Sequence, residues 1–255
     1  MPYNNENNKG QKRGFDFNEK IAVVTGASRG IGRDIATKLE NYNCKVIKLS
    51  SKDIDFLDKN IEQKIKDFAD KIEILDILIN NAGINVIENI DESNPESFKK
   101  VLQVNLYAPY LMSTILSKKI RDNGRIVNIS SIYSVVGAEG RLHYMTAKAG
   151  LNGLTRNLAI ELGKRNILVN SVSPGYTMTD LTIRCLGEDG IKEKSKLIPI
   201  GRLAKPEEIA NLVVFLVSDF NTYITGQNII IDGGYTIIWE LNRRYITMKL
   251  FGQML

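Results

Sequence analysis

Only two cysteines, Cys44 and Cys185, and one histidine, His143, occur in 255 residues. Two cysteines so far apart make no disulfide framework, so a reducing, cytoplasmic setting is expected. They also leave no ligand set for a structural zinc, and a lone histidine excludes a multi-histidine centre, so no metal is expected. A Ser-His-Asp or Cys-His hydrolase would have to use His143 as its base. Apolar runs are short. None approaches the ~20 residues of a membrane span, and the polar, asparagine-rich stretch 1–20 lacks the apolar segment of a secretory signal. The net charge of +5 is scattered among acids rather than gathered into a basic block, which argues against a nucleic-acid partner. No internal repeat or linker composition divides the chain.

What is present is an alternation of short apolar runs and helical patterns. Strands are expected at 20–24, 45–49, 75–79, 125–129, 167–172 and 228–231. Helices are expected at 33–42, 60–72, 95–119, 144–163 and 205–218, the last with Pro206 in its first turn. This alternation predicts an α/β fold, a parallel sheet with helices on both faces. Ile54–Leu57 is a further short apolar piece. It reads either as a very short third strand or as an irregular join, because a parallel crossover needs a dozen or more residues. Residues 176–201 are mixed and polar and read as a lid. Residues 1–17 are expected to be a mobile tail. Residues 237–255 form a C-terminal extension whose Trp239, Tyr245, Leu250 and Phe251 are expected to pack on the domain or on a neighbouring subunit.

Two stretches carry chemistry. Thr25-Gly26-Ala27-Ser28-Arg29-Gly30-Ile31-Gly32 follows the first strand and opens the first helix. Glycines there permit a tight turn, and the helix N-terminus offers free N–H groups to a pyrophosphate. Tyr144-Met145-Thr146-Ala147-Lys148 places a phenol and an ammonium on one helical face, above a stripe of leucines at 151, 154, 158 and 162. A tyrosine pKa of about 10 is too high for acid–base work near neutrality. A cation within roughly 4–6 Å would lower it.

Five separated motifs occur in one order: TGASRGIG (25–32), NNAG (80–83), Ser131, the Tyr144–Lys148 stretch, and PGYTMT (174–179). With GRLAKPEEIA and ITGQNIIIDGGY further on, residues 18–236 resemble the short-chain dehydrogenases/reductases, and most of all the 3-oxoacyl-[acyl-carrier-protein] reductase-like group. The resemblance implies a single Rossmann-type doubly wound domain with about seven strands, a nicotinamide cofactor, a small-molecule carbonyl substrate and a homotetramer.

It also implies roles. Tyr144 would be the general acid/base, Lys148 its partner and a holder of the nicotinamide ribose, and Asn105 the support of a proton-relaying water. Ser131 would hold the substrate oxygen, with Ser130 as the rival. Gly26, Ser28, Arg29, Gly30, Ile31 and Gly32 would take the pyrophosphate turn, and Asp55, Asn81, Ala82 and Gly83 the adenosine side. Pro174, Gly175, Thr177 and Thr179 would flank the nicotinamide and pyrophosphate. Ser50 and Ser51 stand where an NAD-binding unit places an acid, and Arg29 adds a base, so NADPH is expected rather than NADH; Lys52 could add a donor. The substrate is expected to be a 3-oxoacyl thioester, the alternative a keto-sugar or other small polar ketone, with a non-catalytic cofactor-binding scaffold a remoter one. His143 reads as a surface residue at the helix start or as part of the substrate mouth.

Overall fold

A computed structural model describes residues 15–238. Six strands form one parallel sheet: β1 (Ile21–Thr25), β2 (Lys45–Leu49), β3 (Leu75–Asn80), β4 (Ile120–Ile129), β5 (Leu168–Pro174) and β6 (Asn228–Ile231). Their order is β2-β1-β3-β4-β5-β6. The helices are α1 (Gly30–Asn41), α2 (Ile61–Asp70), α3 (Pro95–Leu102), α4 (Ala108–Leu116), α5 (Leu142–Leu162), α6 (Asp180–Lys196) and α7 (Pro206–Val217).

The period-2 alternation of side chains sorts the apolar residues into two cores. Val23, Leu78 and Ile126 face α2, α4 and α5 through Ile65, Met112 and Leu158. Ala22, Val24, Ile77, Ile79 and Val127 face α1 and α7 through Ile35, Leu39, Ile209 and Val213. The leucine stripe of α5 serves the first of these cores through Leu158, with Leu154 and Leu162 packed against it.

Burial on both faces is why the strands read as continuous apolar runs. From β1 the chain moves one way to β2 and then back across β1 to β3. The crevice of such a sheet opens at this reversal, at the carboxyl ends of β1 and β3.

Ile54–Leu57 makes no strand and is the irregular join, and the described sheet has six strands. Only residues 50–53 separate this piece from β2, far short of a parallel crossover. Ile54 and Phe56 are buried under the sheet edge instead. β2 is thereby left as an edge strand, with exposed Lys45 and Lys48 of the kind that deters edge pairing.

Two other expectations change. The helix expected over 95–119 is interrupted at Gln103–Tyr107 by a π-turn, in which the Ala108 N–H reaches back to the Gln103 carbonyl. Pro109 explains part of this, because it has no N–H to give the carbonyl of Asn105 four residues earlier. The tail boundary at residue 17 also falls too late. Phe17 is buried and its N–H bonds the Tyr42 carbonyl at 2.8 Å, while Phe15 meets the rings of Tyr42 and Phe220 edge-on. Trp239, Tyr245, Leu250 and Phe251 lie outside the described residues.

Candidate active site

The glycine-rich turn is locked onto the end of β3. The Thr25 hydroxyl accepts from the backbone N–H groups of Asn81 and Ala82, both at 3.0 Å. The Asn81 amide donates to the carbonyls of Thr25 and Gly26 at 2.9 and 3.1 Å. A Cβ at Gly26, where φ is +64°, would lie 2.8 Å from the Ala82 Cα, and one at Gly32 would lie 2.4 Å from the Gly26 carbonyl oxygen. Only glycine allows this packing. α1 then starts with no side-chain cap and no acid in its first turn. Its free N–H groups and positive dipole end suit an anion. Thr179 closes the turn from the other side, 3.3 Å from where a Cβ of Gly30 would stand. A dinucleotide pyrophosphate fits this cradle.

At the other end of the crevice, α5 presents Tyr144 and Lys148. Lys148 is almost fully buried; its Nζ donates to the Ile129 carbonyl at 2.7 Å and lies 5.6 Å from the Tyr144 ring centre. Burial pushes the ammonium down from its ordinary 10.5 to about 7. Burial likewise pushes the Tyr144 phenol above its ordinary value, opposed first by hydrogen bonding with Ser131 and then by the charge of Arg141. The expectation that Lys148 lowers the Tyr144 pKa is therefore not what this arrangement shows. Desolvation of the phenolate dominates.

Ser131, rather than Ser130, faces the phenol. The Ser130 hydroxyl turns to the Lys148 carbonyl at 3.3 Å, while Ser131 Oγ is fixed by the Tyr133 N–H at 3.2 Å.

Asn105, in the π-turn, sits behind the cleft wall. Its side chain accepts from the Ile84 N–H at 3.1 Å and donates to the carbonyls of Ile84 and Val101 at 2.7 and 3.0 Å. Gly83 fills the gap between this amide and Lys148. His143 fits neither reading of it: it is buried, its Nε2 2.9 Å from Ser93 Oγ and its ring edge-on to Phe98. At the end of β2 the Asp53 carboxylate accepts from the Ser50 N–H and hydroxyl at 2.8 and 2.7 Å, and the Ser50 hydroxyl holds it below the usual carboxylate range.

One cleft of ≈ 590 Å³ joins the two ends. Gly26, Ser28, Arg29, Gly30, Ile31, Gly32, Ser50, Ser51, Asp55, Asn81, Ala82 and Gly83 line it, as do Ser131, Tyr144, Lys148, Pro174, Gly175, Thr177 and Thr179. Of the site residues expected from sequence, only Asn105 stands behind the wall; Lys52, the further donor considered for the phosphate end, lies outside it, as does Asp53. Most of the stretch expected to be a lid is the helix α6, bent at Gly187, and it contributes Leu181, Cys185 and Leu186 to the cleft wall. Tyr133, Arg141 and Tyr176 also line the cleft. Sequence reasoning missed all three, although their closeness to Ser131, Tyr144 and Pro174 in the chain was a signal. Among the described residues no group of three His, Cys, Asp or Glu side chains is placed to hold a metal, and no helix is long and apolar enough to cross a membrane.

The family described as enoyl-(acyl carrier protein) reductase matches residues 53–236. The 3-oxoacyl-[acyl-carrier-protein] reductase of Aquifex aeolicus is 39% identical over 84% of this chain and 96% of its own length. The chain belongs to the short-chain dehydrogenase/reductase family. It is an NAD(P)-dependent oxidoreductase acting on CH–OH and C=O groups. Other members differ in what they act on. An NAD-dependent glycerol dehydrogenase of Listeria innocua is 34% identical over 90% of this chain and 98% of its own. The ligand-free aldohexose dehydrogenase of Thermoplasma acidophilum superposes with a TM-score of 0.81, at 30% identity, covering 88% of this chain and 97% of that one. A Beutenbergia cavernae structure, given provisionally as an NAD(P)-dependent gluconate 5-dehydrogenase, holds NADP at low occupancy; it superposes at 0.82, with 31% identity and coverage of 88% and 99%.

The buried lysine makes a stability prediction for this reductase. Between about 7 and the ordinary 10.5 the unfolded chain binds the Lys148 proton and the folded chain does not. Stability therefore rises with pH across that window through this residue. Lys148→Met should remove the slope. The melting temperature of wild type relative to the variant should climb from pH 7 to pH 10, measured without cofactor, and a difference that stays flat would count against the buried, depressed ammonium.

Proposed function

We propose that this reductase uses NADPH to reduce a ketone to a secondary alcohol, with Tyr144 giving the proton. The observation that carries the reading is one cleft with the glycine-rich cradle at one end and Ser131, Tyr144 and Lys148 together at the other. Bound NADPH supplies a hydride to the carbonyl carbon. As the π electrons move onto oxygen, Ser131 donates a hydrogen bond to it and Tyr144 transfers its proton. The raised phenol pKa keeps that proton on Tyr144 until charge develops on the substrate. Lys148, titrating near neutrality, can return the proton to the phenolate; Asn105 supports the route to solvent.

Arg29 supports NADPH over NADH. It is exposed at the entrance to α1, lines the cleft and makes no ion pair among the described residues. The Asp53 carboxylate, the first acid after β2 in the chain, is held on Ser50 outside the cleft wall.

Two substrate classes have support. The 3-oxoacyl reductase relatives favour a 3-oxoacyl thioester. The glycerol dehydrogenase relative and the phenols of Tyr133 and Tyr176 in the cleft favour a small polar ketone or keto-sugar. We further propose a cytoplasmic homotetramer paired through α3–α4 and α5, on which Tyr107, Tyr110 and Ile160 are exposed.

Purified protein should consume NADPH when given a panel of 3-oxoacyl thioesters, keto-sugars and short oxo-compounds. Cofactor binding without consumption on any of them would favour a non-catalytic scaffold.

A further inference from the structure

We infer that the substrate carries an anionic group, a carboxylate or a phosphate, beside the ketone, and that Arg141 binds it against the phenols of Tyr133 and Tyr176. The inference rests on the ketone-reductase reading and narrows it toward the small polar class.

Arg141 immediately precedes α5, three residues before Tyr144. Its guanidinium stands 5.5 Å from the centre of the Tyr133 ring. It lines the same cleft as Tyr144, is partly enclosed, and makes no ion pair among the described residues. The Tyr133 and Tyr176 hydroxyls meet at 2.9 Å, and burial drives the Tyr176 phenol far above its ordinary value, so it remains a donor. A second cation, Lys194 of α6, lies over the Tyr176 ring at 5.4 Å, also without an ion pair among the described residues.

Arg141 and two phenols thus converge on the substrate side of the cleft, with Lys194 outside its lining. Asp55 and Asp180 are the acids of the cleft wall. Asp55 follows β2 on the adenosine side and bonds the Leu57 N–H. Asp180 follows Thr179 at the glycine-rich turn. Neither forms an ion pair with Arg141 among the described residues. A cation kept partly enclosed without a carboxylate costs solvation that a bound anion would restore. Arginine's planar fork suits a carboxylate or phosphate in two-point contact. A neutral thioester leaves the guanidinium unanswered.

The test compares substrates of one skeleton that differ in charge. With NADPH, kcat/KM is measured for 3-oxobutanoate against its methyl ester and its N-acetylcysteamine thioester. Dihydroxyacetone phosphate against dihydroxyacetone forms the phosphate arm. Wild type should prefer the charged member of at least one arm by about ten- to a hundred-fold, the value of a hydrogen bond to a charged group. The arm that shows it names the anion. In Arg141→Gln that ratio should fall toward one, and Arg141→Lys should recover part of it. Reading a ratio within each variant separates lost recognition from a general loss of activity.

Binding of malonate and of inorganic phosphate to the NADP+ complex, by calorimetry, gives a readout that needs no turnover. Affinity for one of them should drop about tenfold in Arg141→Gln. Neutral ketones reduced as well as charged ones by wild type, or a ratio unmoved in Arg141→Gln, would overturn the anion site while leaving the reductase reading intact. Arg141-dependent binding of the anions with no ketone reduced would do the reverse.

Discussion

Tyr144→Phe is expected to lower kcat by about 10²- to 10⁴-fold, the usual contribution of a positioned proton donor, while NADPH binding stays close to that of wild type. The substitution deletes one oxygen on α5 and leaves the cradle 25–32 untouched. The loss should appear equally in kcat and kcat/KM, because the proton moves only in the transition state. Steady-state kinetics with a fixed ketone, alongside NADPH titration by fluorescence, separate the two effects. Near-full activity in Tyr144→Phe would show that the proton comes from elsewhere.

Arg29→Ala should shift cofactor choice by about ten- to a hundred-fold toward NADH. A hydrogen bond to a charged group contributes roughly 1.5–3 kcal/mol, and Arg29 is the exposed cation at the phosphate end of the cleft. Asp53→Asn should move the preference slightly the other way, because it removes a carboxylate beside Ser50. The comparison is kcat/KM for NADPH over NADH in the three proteins. An unmoved ratio in Arg29→Ala, or wild type using NADH as well as NADPH, would defeat the assignment.

Local rules made much of this molecule legible. Strand, glycine turn and helix at 21–41 follow from β-branched residues, glycine freedom and helical spacing within a few residues of one another. The same holds for the Tyr144–Lys148 spacing, which any helix converts into a shared face. What escaped depends on distant partners. The π-turn at Asn105 owes part of its form to Pro109, and a periodic pattern over 95–119 hides it. His143 is buried because Ser93, fifty residues away, and Phe98 come to it in the fold. The absence of a strand at Ile54–Leu57 was half visible, in a join too short for a crossover. The Tyr144 environment was the least legible of all. A lysine four residues on suggested a lowered phenol pKa, whereas burial of both groups depresses the lysine and raises the phenol. Arg141 became a candidate only once the fold set it over Tyr133, without an acid beside it.

The most direct test of the central claim is the fate of the transferred hydride. Purified protein is given a ketone that it turns over and NADPH deuterated at the transferable position, and the alcohol is examined by mass spectrometry and NMR. One deuterium is expected on the carbinol carbon, in a single configuration, for each NADPH consumed. An alcohol without the label, or cofactor held tightly with no alcohol formed from any ketone, would contradict it.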